Sequence, residues 1–291
     1  MNAAERIAEY SHIPIEPTDD GHDAPAVWPT DGRIEVTDLV VTYVPDLPPV
    51  LKGLTFSVNS NERIGIVGRT GAGKTSLTMA LFRLLEAQSG TIRIDGVDLS
   101  DIKLHHIRSR LAIIPQDPVL FSGTLRSNLD PSNRYTSAEL FRFPRLVHVV
   151  PDIFTDLSSP ISRGGLNLSQ GQRQLICFAR ALVRRPKVLV LDEATSAVDS
   201  ATDSLIQQSI RERTDGSTLL VVAHRLRTVA DFDRILVLRD GEVAEYDTPR
   251  NLWNRGEREG IFRGMCEDSR DVDTLRELCL GTQSRDARVF K

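Results

Sequence analysis

Several features are scarce in this chain, and each scarcity excludes something. Three cysteines occur in 291 residues, Cys177, Cys266 and Cys279. They are too few and too scattered for a disulfide framework or a zinc site, which predicts a reducing compartment. No apolar run approaches the ~18–20 residues that cross a bilayer. The longest candidates, Val188–Leu191 and Leu219–Ala223, have the length of buried strands, and Met1–Tyr10 is polar and amphipathic rather than a secretory leader. These patterns predict a chain that is soluble by itself. Basic charge is not in excess either: 36 Lys and Arg against 40 Asp and Glu leave a net charge of -4, which gives no basic surface for nucleic acid. Internal repeats and low-complexity tracts are missing. The remaining composition, 40% apolar and 26% charged, suits a globular protein long enough to bury a substantial core.

Hydrophobic patterning supplies an architecture. Ala3–Tyr10 reads as the end of a helix, and proline-rich, acidic His12–Asp31 as an extended linker. Arg33–Tyr43 and Leu54–Val58 alternate apolar with polar residues and predict antiparallel strands at one edge. Arg63–Val67, Ala112–Ile114, Val188–Leu191, Leu219–Ala223 and Ile235–Leu238 are short apolar runs. Helical stretches lie between them, at Lys74–Leu85 and Thr202–Arg213. Apolar strands alternating with helices predict an α/β fold with a largely parallel sheet covered on both faces. Residues 117–169 interrupt the alternation as a helical, loop-rich insertion. Beyond Trp253 the charged tail reads as peripheral.

Gly68-Arg69-Thr70-Gly71-Ala72-Gly73-Lys74-Thr75-Ser76 lies between a predicted strand and a predicted helix. Its spacing is that of a phosphate-binding loop. The glycines let backbone N–H groups face an anion at the positive end of the following helix. Lys74 is placed for the β- and γ-phosphates of a nucleotide and the Thr75 hydroxyl for Mg²⁺. Val188-Leu-Val-Leu-Asp192 is an apolar strand ending in a carboxylate suited to Mg²⁺, and Glu193 follows as a candidate general base. An Asp-Glu pair also opens helices as a cap, so the pair has a structural reading as well.

Leu168-Ser169-Gln170-Gly171-Gln172 at a helix start, some twenty residues before the acidic pair, resembles the signature of ATP-binding cassette (ABC) proteins. The family resemblance implies a P-loop NTPase (RecA-like) core with an antiparallel β edge subdomain and an inserted α-helical signature subdomain, about residues 117–185. It implies two cassettes packed head to tail, the signature of one completing the ATP site of the other. By the same resemblance Gln116 is the glutamine that meets Mg²⁺ and the catalytic water. His224 is the switch histidine, Asp199 an aspartate communicating across the dimer, and Tyr43 the aromatic that stacks on adenine. Outside that context Ser169 is a plain helix cap and Tyr43 an ordinary strand tyrosine.

The resemblance narrows further. Ile114-Pro-Gln-Asp-Pro-Val-Leu-Phe-Ser-Gly-Thr-Leu-Arg126 and Asn128-Leu-Asp-Pro131 are similar to the second cassette of the multidrug-resistance-associated subfamily. That implies a linker from a transmembrane domain at 1–31, a cassette at 32–255 and a tail at 256–291. It also implies ATP and Mg²⁺ as cofactors, and partnership with exporter transmembrane domains and a catalytically weaker cassette. Membrane association would be on the cytoplasmic face, with no nucleic-acid partner. Three features depart from the pattern. Gln170 stands where many signatures carry glycine, and Arg163 where relatives carry an acid. Pro144 falls inside Ala138–Val150, predicting a kinked or frayed helix. An alternative reading is a truncated or stand-alone cassette that binds nucleotide or a partner without driving transport.

Overall fold

The computed structural model describes residues 3–13, 16, 21–44, 46–142, 156–192, 206, 208, 210, 216–255 and 260–281. In chain order α1 (Ala3–Ser11) precedes β1 (Ile34–Val41) and β2 (Leu51–Val58). β3 (Arg63–Val67) runs into α2 (Lys74–Leu81), followed by β4 (Ala87–Ile94), β5 (Val97–Asp98), α3 (Leu104–Arg110) and β6 (Ala112–Ile114). The inserted stretch holds β7 (Gly123–Thr124), α4 (Leu125–Leu129), α5 (Ser137–Arg142), β8 (Pro160–Ile161) and α6 (Gln170–Val183). Then come β9 (Val188–Asp192), β10 (Thr218–Val222), β11 (Arg234–Arg239) and β12 (Glu242–Asp247). Three helices follow: α7 (Pro249–Asn254), α8 (Ile261–Glu267) and α9 (Val272–Gly281).

The central sheet has the order β12-β11-β3-β10-β9-β6, parallel except for the antiparallel edge strand β12. β3, β9 and β10 are buried at every position, as runs without alternation require when both faces are covered. Their side chains still divide by the period of two. Ile64, Ile66, Val190, Leu220 and Val222 join the core beneath the antiparallel sheet. Leu189, Leu191, Leu219, Val221 and Val237 join the core shared with α6 and the C-terminal helices. The second sheet, β2-β1-β4-β5, is antiparallel throughout.

Three expectations change. α2 ends at Leu81 rather than Leu85, and Arg83 just beyond has φ 47°, left-handed backbone that stops a helix. Residues 21–31 do not hang as an extended linker: Trp28 is buried, and its indole N–H donates to the Ile94 carbonyl at 2.8 Å. Nor is the tail peripheral, because Phe262, Cys266, Leu275 and Cys279 on α8 and α9 lie in the α6-side core. β4, β12 and the two-residue strands β5, β7 and β8 escaped the pattern, β4 because its first four residues are exposed. The predicted helix Thr202–Arg213 lies mostly outside the described residues. So does Pro144, beyond the last residue of α5.

Candidate active site

Strand register assembles the site. Val222 of β10 pairs with both Ile66 of β3 and Asp192 of β9, and Leu191 pairs with Ile114 of β6. Gly68 and His224 therefore each lie two residues beyond one common rung, and Gln116 lies two residues beyond its neighbour. All four strands point the same way, so Gly68, Gln116, Asp192 and His224 gather at one carboxyl-terminal edge, where α/β sheets bind ligands.

The loop between β3 and α2 turns on left-handed glycines, with φ 84° at Gly71 and 99° at Gly73, the N-cap of α2. At Gly68 a Cβ would collide with the Leu238 carbonyl oxygen, so the close approach of β3 to β11 itself demands glycine. Arg69, Thr70 and Gly71 are exposed, and Ala72 is buried. Lys74 is buried, and its ammonium donates to the loop carbonyls of Gly68 at 2.8 Å and Arg69 at 3.2 Å. That fold-back places the charge at the mouth of the loop, ready to exchange carbonyl oxygens for phosphate oxygens. Thr75 is exposed beside it. Ser76 is buried, with its hydroxyl 3.0 Å from that of Tyr43.

Asp192 reaches the loop through a residue the sequence reading did not single out. The Thr78 hydroxyl donates to the Thr75 carbonyl at 2.7 Å and lies 3.4 Å from Asp192 Oδ2. Thr78 follows Thr75 by three positions, so both occupy one helix face, a spacing that could have flagged it. Gln116 and His224 are exposed on the irregular segments after β6 and β10. Glu193 and Asp199 lie outside the described residues.

The signature occupies a different element, the head of α6. Ser169 Oγ accepts from the Gln172 N–H at 3.2 Å, while Gln172 Oε1 accepts from the Ser169 N–H at 2.9 Å. This reciprocal cap is the plain structural use of those side chains. It also leaves a fourteen-residue helix with its positive end beneath an exposed serine, with Gln170 half-buried and Gly171 buried. Arg163 is exposed on a 3₁₀ turn, Arg163–Gly165, in which Gly164 and Gly165 have φ 66° and 67°.

A glycine cradle closed against Leu238, a buried lysine at its mouth and a carboxylate linked to Thr75 fit a nucleotide phosphate with its metal. Mg²⁺ prefers a few protein oxygens supplemented by substrate phosphates and water, and Thr75, Asp192 and Gln116 can supply those oxygens.

Comparison with known proteins identifies the family. The family model described as ABC transporter matches residues 51–196. The ATP-dependent bile acid permease of Saccharomyces cerevisiae is 46% identical over 303 residues, covering 96% of this chain and 18% of the permease. ATP-binding cassette sub-family C member 3 of Rattus norvegicus is 51% identical over 272 residues, covering 92% of this chain and 18% of the relative. The chain thus spans about a fifth of the length of these relatives. Among solved structures, a bacterial Atm1-family ABC exporter with ATP bound superposes with a TM-score of 0.79 at 32% identity, covering 90% of this chain and 46% of the exporter.

Proposed function

This chain belongs to the ABC transporter family, and from that premise we propose that it is the ATP-hydrolysing cassette of an exporter of organic solutes, working head to tail with a second cassette. ABC cassettes bind ATP, and in exporters they work with transmembrane domains and a second cassette. Among the described residues no helix is long and apolar enough to cross a membrane. We place the cassette on the cytoplasmic face, held there by transmembrane domains. The one observation that carries the proposal is the rung at Val222, which sets the Gly68 loop, Asp192 and His224 side by side.

Backbone N–H groups of residues 69–75 cradle the phosphates at the head of α2, with Ser76 in its first turn and Tyr43 against the adenine. Lys74 turns its ammonium from the Gly68 and Arg69 carbonyls to the β- and γ-oxygens. Thr75, Gln116 and Asp192 would hold Mg²⁺, which when bound would supply positive charge for phosphoryl transfer. Glu193 takes a proton from the attacking water as general base, and His224 donates to the γ-phosphate. Ser169, Gln170, Gly171 and Gln172 serve the ATP of the partner cassette, and Asp199 communicates between the two. With Glu193 present and Gln170 in the signature, this is the second, hydrolytic cassette, and its partner is the weaker one.

A groove of about 320 Å³ supports the membrane connection. Exposed Leu84, Ile113 and Val119 line it with Arg108 and Arg184, directly beside the Gln116 segment. A transmembrane domain seated there touches the segment that carries Gln116.

Glu193→Gln decides the catalytic part. The expected result is retained ATP binding, accumulation of uncleaved ATP on the protein, and turnover reduced at least a hundredfold. Turnover equal to the parent chain removes Glu193 from the role.

A further inference from the structure

The helix headed by the signature is bonded to the segment that carries Gln116. Gln174, two residues past the signature, is buried, and its Nε2 donates to the Pro115 carbonyl at 3.3 Å. Further along α6 the Cys177 thiol meets the Val119 carbonyl at 3.8 Å, and Arg180 Nη1 donates to the same carbonyl at 3.1 Å. Arg180 also donates to Asn128, at 2.6 Å to its carbonyl and 3.1 Å to Oδ1. Fully buried Asn128 then grips Phe121 by both backbone groups, accepting from its N–H at 2.9 Å and donating to its carbonyl at 2.9 Å.

Residues 115–121 contain neither helix nor strand, so no backbone ladder sets their path. Side-chain bonds from α6 and α4 set it instead, as polar backbone groups leaving a sheet require. Gln174, Cys177 and Ala181 recur at helical spacing on one face of α6, and Cys177 and Ala181 line the same groove as Pro115 and Val119. Gln170 lies one turn before Gln174 on that stripe. The bonds divide by position: Arg180 secures Val119 and Asn128, whereas Gln174 secures Pro115, the residue joined to Gln116.

We infer that Gln174 is a positioning residue for Gln116, through which the place of the Gln116 side chain depends on the head of α6. Movement of Ser169–Gln172 against the phosphate of a partner cassette is thereby carried along less than two turns of one helix to the Mg²⁺ side of this chain's own site. This rests on the role proposed above for Gln116. The link is short and stiff, because a helix transmits a displacement of its first turn to its second almost unchanged.

Two measurements on the full chain test it. Hydrogen exchange without nucleotide should show the amides of Gln116 and Asp117 opening about tenfold faster in Gln174→Met, with those of Val119, Phe121, β3 and β9 unchanged. ATP affinity is then compared in Mg²⁺ and in EDTA. The parent binds more tightly in Mg²⁺. Gln174→Met should lose about tenfold of that gain while affinity in EDTA stays within about twofold. Gln116→Ala should lose the same gain, and the double variant no more than either, since residues acting through one group are not additive. Full additivity, or an undiminished Mg²⁺ gain in Gln174→Met, overturns the inference and leaves the role of Gln116 standing. An undiminished gain in Gln116→Ala overturns both. Should Gln174→Met not fold, Gln174→Asn keeps an amide in the core but withdraws it by one methylene, and the same outcomes decide.

Discussion

The hydroxyls of Tyr43 and Ser76 lie 3.0 Å apart, joining the residue two positions past β1 to the first turn of α2. Tyr43 is 54% exposed, and the contact ties the tip of this largely solvated residue to the phosphate-loop helix. If a nucleotide base stacks on Tyr43 only after the ring leaves Ser76, breaking this bond costs binding affinity.

Tyr43→Phe removes that bond and keeps the ring. A hydrogen bond of this kind contributes about 0.5–1.5 kcal/mol net, so ATP should bind about 2–10-fold more tightly. Tyr43→Ala should bind more weakly than the parent because the stacking surface is gone. Equilibrium titration with a fluorescent ATP analogue measures both. Equal affinities for all three proteins would separate Tyr43 from the nucleotide.

Thr78→Val removes the hydroxyl between the Thr75 carbonyl and Asp192 Oδ2. Side-chain volume is kept, so stability should fall by only about 1 kcal/mol. The Mg²⁺ concentration for half-maximal ATP binding should rise several-fold, with affinity in EDTA unchanged. Calorimetric titration of Mg²⁺ in the presence of ATP checks the rise.

Asp95 anchors the chain before β1. Burial pushes its carboxyl up, but N–H bonds from Gly32, Asp31, Arg33 and Thr30 outweigh this, and the folded value is lowered. A lowered folded value means the stabilisation is complete above the unfolded value of about 3.9 and is lost as pH falls through the folded one. Amide exchange at residues 30–33, corrected for intrinsic rates, should therefore hold steady at about pH 5–7 and accelerate below about pH 4. Asp95→Asn should exchange rapidly throughout.

Phe262→Ala tests whether the C-terminal helices belong to the fold. Phe262 is fully buried, and truncating such a side chain costs about 3–5 kcal/mol. Urea denaturation should show the loss in one transition shared with the cassette. A variant as stable as the parent would make α8 and α9 an appendage.

The motifs of the candidate site were readable as sequence because such chemistry demands them locally. A loop around a phosphate needs glycines at fixed spacing before a lysine, and Asp192 must end an apolar strand. The five strands of the parallel sheet were equally plain, since burial on two faces leaves only apolar residues. β4 was not, for half of it is exposed and Gly90 breaks its pattern. Trp28 and Phe262 carry no periodic signal, so their burial in the core was hidden in segments that read as linker and tail.

By itself, then, the sequence determined which groups are candidates for the chemistry and the order in which they occur, because spacing along a helix or a strand end is a local property. Tertiary structure alone decided which of them meet. The pairing of Val222 with both Ile66 and Asp192, the contact of Tyr43 with Ser76 and the bond from Gln174 to Pro115 each join residues distant in the chain. Such meetings follow from sheet register and helix packing, where the free energy of burying a shared core selects one arrangement among many that the local pattern allows.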